Sequence, residues 1–268
     1  MEYGADNCFK QLRSVLLCKP DNYNIGKPLN MWQERYKGKV DFDLARRQYE
    51  IMVEELNGAG VKCNFLAPID GAIEQKDTRD LGLISSRGAI FGSFKRKIRH
   101  LEVQEFQRFL NKNKIKVIGK KPFEGGDFFF INDSLMLIGV GIRTDIKAKE
   151  IEHLLNRKIE VVHHSASHHL DAFFNFASED LVVAYKDGIK DKDFLKGKDV
   201  VALSKKDMWN MCSNFLLIKE NKILADSGCH EFNKKLEKKG VEVIETDVSE
   251  LKKNGGSVRC MTLEIERR

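Results

Sequence analysis

The feature that most constrains this chain is a spacing. Short β-branched runs begin at Val61, Ile115, Ile159, Val200 and Val241, separated by 54, 44, 41 and 41 residues. The first is preceded by Asp43 to Leu56, where Leu44, Gln48, Ile51, Met52, Glu55 and Leu56 trace a helical stripe that Asn57–Gly58–Ala59–Gly60 ends. Similar transitions lead into the other four. Further β-prone runs lie at Leu81 to Ile84, Phe128 to Ile131, Leu135 to Ile138, Leu181 to Ala184 and Phe215 to Ile218. Each unit therefore reads strand, strand, helix, strand. A unit this small cannot bury its apolar face alone, and closing several into a ring removes the exposed end units. The spacing predicts an α/β propeller of five ββαβ units with pseudo-fivefold symmetry. An open α/β sheet shares the strand and helix alternation and is the competing arrangement.

No linker rich in Pro, Gly or Ser divides the 268 residues, and the four prolines stand at 20, 28, 68 and 122, so residues 1–268 are expected to form a single domain. With 42% hydrophobic and 32% charged residues the chain has the composition of a globular protein. A chain of this size removes roughly 70–75% of its unfolded surface from water. The six cysteines, at 8, 18, 63, 212, 229 and 260, include no CxxC pair. Neither a secretory leader nor a span of bilayer length is visible, so a reduced, cytoplasmic protein with no membrane association is expected. The net charge of +6 is spread among interspersed acids. Basic clusters such as Lys95–Arg96–Lys97 are short, which reads as solvated surface rather than a nucleic-acid face.

Nucleotide-binding fingerprints are missing: Gly139–Val140–Gly141 lacks a third glycine, and no Walker loop or HExxH occurs. Histidines cluster at 163, 164, 168 and 169. A zinc site built from His164, His168 and Asp171 with Cys229–His230 is conceivable by residue type, but the segment follows a strand, whose alternation sends successive side chains to opposite faces. His169 and Asp171, two apart, share a side in an extended segment. Glu124–Gly125–Gly126–Asp127 places carboxylates on both sides of a glycine pair, an arrangement that needs a cationic partner if buried. Thr78–Arg79–Asp80 precedes another β-prone run. Near the end, Gly255–Gly256–Ser257–Val258–Arg259–Cys260–Met261–Thr262 sets a cysteine beside an arginine and after two glycines, a setting for an exposed thiolate.

In this order the elements resemble those of the guanidino-group-modifying family of arginine deiminase, dimethylargininase and the amidinotransferases. They are TRD at 78–80, EGGD at 124–127, a glycine-led element ending at Arg143–Thr144, HLD at 169–171 and GGSVRCMT at 255–262. The resemblance implies a five-unit propeller of the pentein type and assigns Cys260 as nucleophile, His169 as general acid/base and Glu124 as the carboxylate beside that histidine. It also implies that Asp80 and Asp171 grip the guanidinium, and that Arg143 and Arg99 hold a substrate carboxylate. No metal or other cofactor is implied.

The activity expected on this basis is hydrolysis of the guanidino group of arginine or a related compound through an amidino-thioether on Cys260. Ammonia or an amine and a ureido product would be released. Amidino transfer to an amine acceptor shares the same residues, and a non-catalytic ribosome- or RNA-binding propeller is the third reading. Two departures bear on substrate. Dimethylargininases usually carry a small hydroxyl residue where this chain has Asp171, which points to an unsubstituted guanidine, while the short chain resembles the compact dimethylargininase form. The family's usual PN or PD element is replaced by Ile73–Glu74–Gln75–Lys76–Asp77. The partner expected is a small guanidino compound, with no nucleic acid and no membrane. The oligomeric state stays open, a homodimer being one form.

Overall fold

A computed structural model describes residues 1–28, 30–164 and 168–268. The chain opens with β1 (Leu12–Cys18), which leads through α1 (Met31–Tyr36) and α2 (Phe42–Gly58) to β2 (Lys62–Leu66). Next come β3 (Gly82–Ser85), β4 (Gly88–Gly92), α3 (His100–Lys112) and β5 (Val117–Lys121), then β6 (Phe128–Phe130), β7 (Leu135–Val140), α4 (Ala148–Leu155) and β8 (Lys158–His163). The second half holds β9 (Phe174–Phe176), β10 (Leu181–Ala184), β11 (Asp199–Ala202), α5 (Lys205–Trp209), β12 (Leu216–Lys219), β13 (Lys222–Asp226), α6 (His230–Glu237), β14 (Glu242–Thr246) and β15 (Leu263–Arg267).

These strands form five three-stranded sheets, in the orders β15-β1-β2, β3-β4-β5, β6-β7-β8, β9-β10-β11 and β12-β13-β14. In every sheet the middle strand pairs antiparallel with one neighbour and parallel with the other. The ring predicted from the spacing is present, and it is closed by the chain ends: Leu12 pairs with Arg267 and Leu16 with Leu263. β1 and β15 thus complete the unit to which the first repeat, β2, belongs.

Alternation explains why the sheets must be neighbours. In β1, Val15 and Leu17 enter one apolar cluster with Leu216 and Ile218, while Leu16 and Cys18 enter another with Leu81 and Leu263. Phe128 and Phe130 of β6 pack with Leu83 and Ile90, whereas Phe129 packs with Phe174 and Val182. In β12, Leu217 turns away from the first cluster to join Leu181, Val183 and Ile223. Successive side chains on one strand point to opposite faces, so each sheet is buried on both sides and supplies half of two cores. The third strands β2, β5 and β11 are largely exposed or half-exposed and form the rim.

Two expectations need correction. No α-helix joins β10 to β11: residues 186–188 and 193–195 form single 3-10 turns. That connection, Tyr185–Lys198, is dense in Lys and Asp with Gly188 and Gly197, and offers little apolar stripe for a helix to bury. Nor are all six cysteines thiols. Cys212 and Cys229 are joined in a disulfide with Cα atoms 5.6 Å apart, leaving Cys8, Cys18, Cys63 and Cys260 free. Their 17-residue separation hides a juxtaposition that the β12–β13 hairpin creates. Among the described residues no helix is long and apolar enough to cross a membrane.

A bridge closing a loop of this length stabilises by about 3 kcal/mol. Cys212→Ser should therefore lower unfolding stability by about 2–4 kcal/mol in non-reducing buffer and by much less in the presence of a dithiol. Denaturant titrations with and without reductant check this, and thiol counting on the unreduced, unfolded wild type should find the four free cysteines.

Candidate active site

Each sheet's first strand is entered through a tight turn. Five such turns are closed by backbone bonds: Asp80 N–H to Asp77 O (3.3 Å), Asp127 to Glu124 (3.2 Å), Ala172 to His169 (3.2 Å), Asn214 to Met211 (2.9 Å) and Thr262 to Arg259 (3.0 Å). The elements TRD, EGGD, HLD and SVRCMT are therefore one structural position repeated in different units. The turns also bond to one another in a closed circuit. Arg79 Nε donates to Gly125 O (3.2 Å), Leu170 N to Asp127 Oδ1 (2.6 Å) and Asn214 Nδ2 to Asp171 O (3.3 Å). Arg259 N donates to Asn214 O (3.0 Å) and Arg79 N to Cys260 O (3.0 Å).

The glycine pair serves this closeness. A Cβ on Gly125 would lie 2.1 Å from Arg79 O, and one on Gly126 would lie 2.7–2.9 Å from the His169 ring. Below the turns, Glu264 binds Arg79 (3.1 Å) and Arg267 (2.6 Å) with Arg259 at 3.5 Å, and burial is outweighed by these guanidiniums so that its carboxyl falls to about 2.

His169 is fully buried. Its Nε2 lies 2.8 Å from Glu124 Oε2 and its Nδ1 3.3 Å from Asp80 Oδ1. Burial by itself disfavours the imidazolium, but the Asp80 and Glu124 carboxylates more than offset it and raise the pKa to about 9. At neutral pH the ring is held protonated, with Nε2 hydrogen-bonded to Glu124 and Nδ1 facing the Asp80 carboxylate as an ion pair. Glu124 resists the upward push of burial because His169 and Arg143 hold it ionised, well below the usual carboxylate range. Arg143 approaches Glu124 Oε2 to 3.2 Å, and Thr144 Oγ1 donates to Asp127 Oδ2 (2.5 Å) while accepting from Glu124 N (3.2 Å).

Cys260 is 2% exposed, with Sγ 3.9 Å from both Asp171 carboxylate oxygens. Burial, then Asp171, Asp80 and Asp77, push its thiol well above its ordinary value, so the resting residue is a neutral thiol. Burial also raises Asp171 to about 6 against the pull of Arg259. The exposed, arginine-activated thiolate expected from the sequence is not what the fold builds. Arg259 points down the axis, to Glu264 and to Asp171 Oδ2 (3.5 Å), with its guanidinium 4.2 Å from the Phe129 ring.

A narrow cleft reaches Cys260, lined by Glu74, Asp77, Asp80, Arg96, Arg143 and Asn254 among others, with free room of about 10 Å³, that of a single water. Of the arginines singled out from the sequence, Arg143 reaches this cleft and among the described residues is paired with Glu124. Arg99 also borders it but is buried and committed to protein groups: Nε and Nη2 to Glu102 (3.1 and 2.7 Å), Nη1 to Asp80 (2.5 Å) and Nη2 to Asp77 O (3.2 Å). Arg96, read from the sequence as surface charge, lines the cleft and pairs with Glu74 at 2.8 Å.

His169 and Asp171 converge through a 3-10 turn rather than an extended strand. His164 and His168 are not surface residues: His164 sits 3.2 Å from Asp127, and His168 accepts from His169 N (3.1 Å) and stacks edgewise on Trp32. The zinc set weighed from sequence does not assemble, and Cys229 is in the disulfide. Among the described residues, the His, Cys, Asp and Glu side chains whose ligand atoms converge are Asp80, Glu124 and His169. Arg99 and Arg143 already hold two of those carboxylates, so the cluster is built around a protonated imidazole.

Sequence reasoning also passed over Asn214, and it marked Glu74 and Asp77 only as part of the stretch that replaces the family's PN or PD element. Asn214 carried a signal, since it stands immediately before a β-prone run just as Asp80 and Asp127 do.

Five such sheets, with acids, a histidine and a cysteine on the axial turns, define the pentein architecture of guanidino-modifying hydrolases. A family model described as N,N dimethylarginine dimethylhydrolase, eukaryotic, matches residues 25–267, and the chain belongs to that family within the wider superfamily. "Uncharacterized protein YkgA" of Bacillus subtilis is 31% identical over 275 residues, covering 99% of this chain and 94% of that protein. The N-terminal domain of ArgZ, an arginine dihydrolase from the ornithine-ammonia cycle in cyanobacteria, superposes with a TM-score of 0.87 at 22% identity, over 95% of this chain and 97% of that one. A dimethylarginine dimethylaminohydrolase from Pseudomonas aeruginosa, in complex with citrulline, superposes with a TM-score of 0.82 at 19% identity, over 95% and 99%.

Because His169 has a folded-state pKa near 9 against about 6.5 in an unfolded chain, its contribution to stability is fully present below about pH 6.5 and is lost as pH rises through 9. Unfolding free energy should fall between pH 6.5 and 8.5, and His169→Gln should flatten that fall. Denaturant midpoints across the range check it.

Proposed function

We propose that this protein is a cysteine hydrolase of the guanidino group, acting on arginine or a close relative with unsubstituted terminal nitrogens, and that residues 1–268 work as one catalytic unit. The observation that carries this reading is the pair of buried carboxylates, Asp80 and Asp171, that bear on the Cys260 thiol from the same cavity floor. Asp80 Oδ1 and Glu124 Oε1 are buried without a hydrogen-bond partner among the described residues. Orphaned acceptors of this kind call for a donor-rich cation. A guanidinium carries N–H groups in a plane and matches carboxylates with two-point bonds. A dimethylated nitrogen would leave acceptors unpaired, which is why the unsubstituted group is preferred.

The charge arrangement dictates the order of events. In the empty site the carboxylates hold the proton on Cys260. A bound cation between them offsets their field, so the thiol releases its proton to solvent as substrate docks. The Cys260 thiolate attacks the central guanidino carbon. His169, kept protonated by Asp80 and Glu124, gives its proton to the departing nitrogen as the C–N bond breaks. Ammonia leaves, and an amidino-thioether remains on Sγ. Neutral His169 then takes a proton from water, whose oxygen bonds to the same carbon. Cleavage of the C–S bond, with the hydroxyl proton lost to solvent as the ureido C=O forms, returns the thiolate and frees the product, and Cys260 takes a proton back from solvent once the cation's place is empty.

Arg143, with Arg96 beside it, receives the substrate's carboxylate at the cleft. Arg99, whose donors are occupied, holds Asp80 and Glu102 in place and does not contact substrate in this reading.

Mass-detected turnover of arginine, methylarginines, agmatine and citrulline tests the proposal. Arginine should be converted with one ammonia per ureido product, and Cys260→Ser should lose at least about 10⁴-fold in kcat/KM. Retained turnover by that variant would overturn it. The arginines should separate by phenotype: Arg143→Ala raises KM at least tenfold without loss of folding. Arg99→Ala leaves buried carboxylates unpaired and lowers stability by about 3–5 kcal/mol, as denaturant titration would show.

A further inference from the structure

We propose that Asn214 is the positioning residue of the nucleophile, its side-chain amide fixing the Cys260 and Asp171 turns against each other and so setting the distance from Sγ to the carboxylate. The inference rests on the reading of Cys260 as nucleophile. Asn214 is 1% exposed. Its Oδ1 accepts from Cys260 N and from Ser257 N, both at 3.1 Å, and its Nδ2 donates to Asp171 O at 3.3 Å. Ser213 Oγ donates to the same Asp171 carbonyl (3.2 Å), and Arg259 N to Asn214 O (3.0 Å). One side-chain amide thus ties two neighbouring units' turns together, at Asp171 on one side and at Ser257 and the sulfur-bearing Cys260 on the other.

The turn is itself braced from several sides. Asn175 Nδ2 donates to the carbonyls on either side of Asn214, those of Ser213 (2.7 Å) and Phe215 (2.8 Å). The disulfide from Cys212 anchors the chain two residues upstream.

The residue type matters as much as the place. The corresponding turn positions in two other units are Asp80 and Asp127. An aspartate at 214 would keep the acceptor for Cys260 N but lose the donor to Asp171 O and add a further negative charge beside a thiol already crowded by acids. Hydrogen bonding from Asn214 acts in the opposite sense, favouring the thiolate.

The test is the pH dependence of Cys260 alkylation by iodoacetamide, with the modified peptide located by mass, in wild type, Asn214→Asp and Asn214→Ala. No substrate is needed. For each variant that retains the wild-type far-UV spectrum and cooperative unfolding, the alkylation midpoint should rise by one pH unit or more, and the rate at pH 7.5 should fall at least tenfold. Where guanidino turnover is measured alongside, kcat should drop 10- to 100-fold with KM within threefold. A folded variant with an unshifted midpoint overturns the positioning role, whatever its thermal stability, since an amide that merely supports the fold would not move that profile. Turnover surviving in Cys260→Ser would instead overturn the catalytic reading and leave the alkylation comparison standing.

Discussion

Everything chemical in this molecule hangs on a circuit of hydrogen bonds among five turns at the axis of the ring. Each turn belongs to a different sheet, so the circuit exists only when all the sheets are docked. Docking in turn is enforced by strands apolar on both faces, such as β6, whose Phe128 and Phe129 belong to different cores. A single sheet of this kind in water would expose one core's worth of aromatic surface. The ring removes that exposure, and the price is a crowded centre where only short turns, glycines and well-paired polar groups fit.

That crowding accounts for the electrostatics. Four carboxylates from three different turns, Asp77 and Asp80 from one, Glu124 and Asp171 from the others, meet in a space with little water. Arg99 and Arg143 neutralise part of the charge, the His169 imidazolium another part, and the negative field that remains, with burial, keeps the Cys260 thiol protonated. The cleft thus rests with the His169 imidazole and the Cys260 thiol both protonated against these carboxylates. The same fact separates arginines that look alike in sequence: Arg99 is spent inside the acid cluster, while Arg143 and Arg96 border the cleft.

Much of this was legible in the residues. Periodic strand starts gave the number of units, and TRD, EGGD, HLD and the cysteine segment marked four of the axial turns. Other features were not legible. The helix expected between β10 and β11 is missing because its stretch lacks an apolar stripe. Local charge also misled: Arg259 next to Cys260 suggested an activated thiolate, yet adjacent residues in a turn point to different sides, and Arg259 serves Glu264 and Asp171. Asn214 went unremarked because an asparagine before a strand reads as a turn residue until its partners from other units are visible.

By itself, then, the sequence determined what is local or periodic: strand and helix repeats, the positions of glycines, and the set of reactive side chains in their order. Tertiary structure alone decided which of those side chains face one another, which cysteines pair, which arginine keeps donors to spare, and whether Cys260 rests as thiol or thiolate. The physical reason is that protonation and pairing depend on burial and on charges 3–4 Å away in space. In a closed ring those neighbours come from turns roughly 40–50 residues apart along the chain.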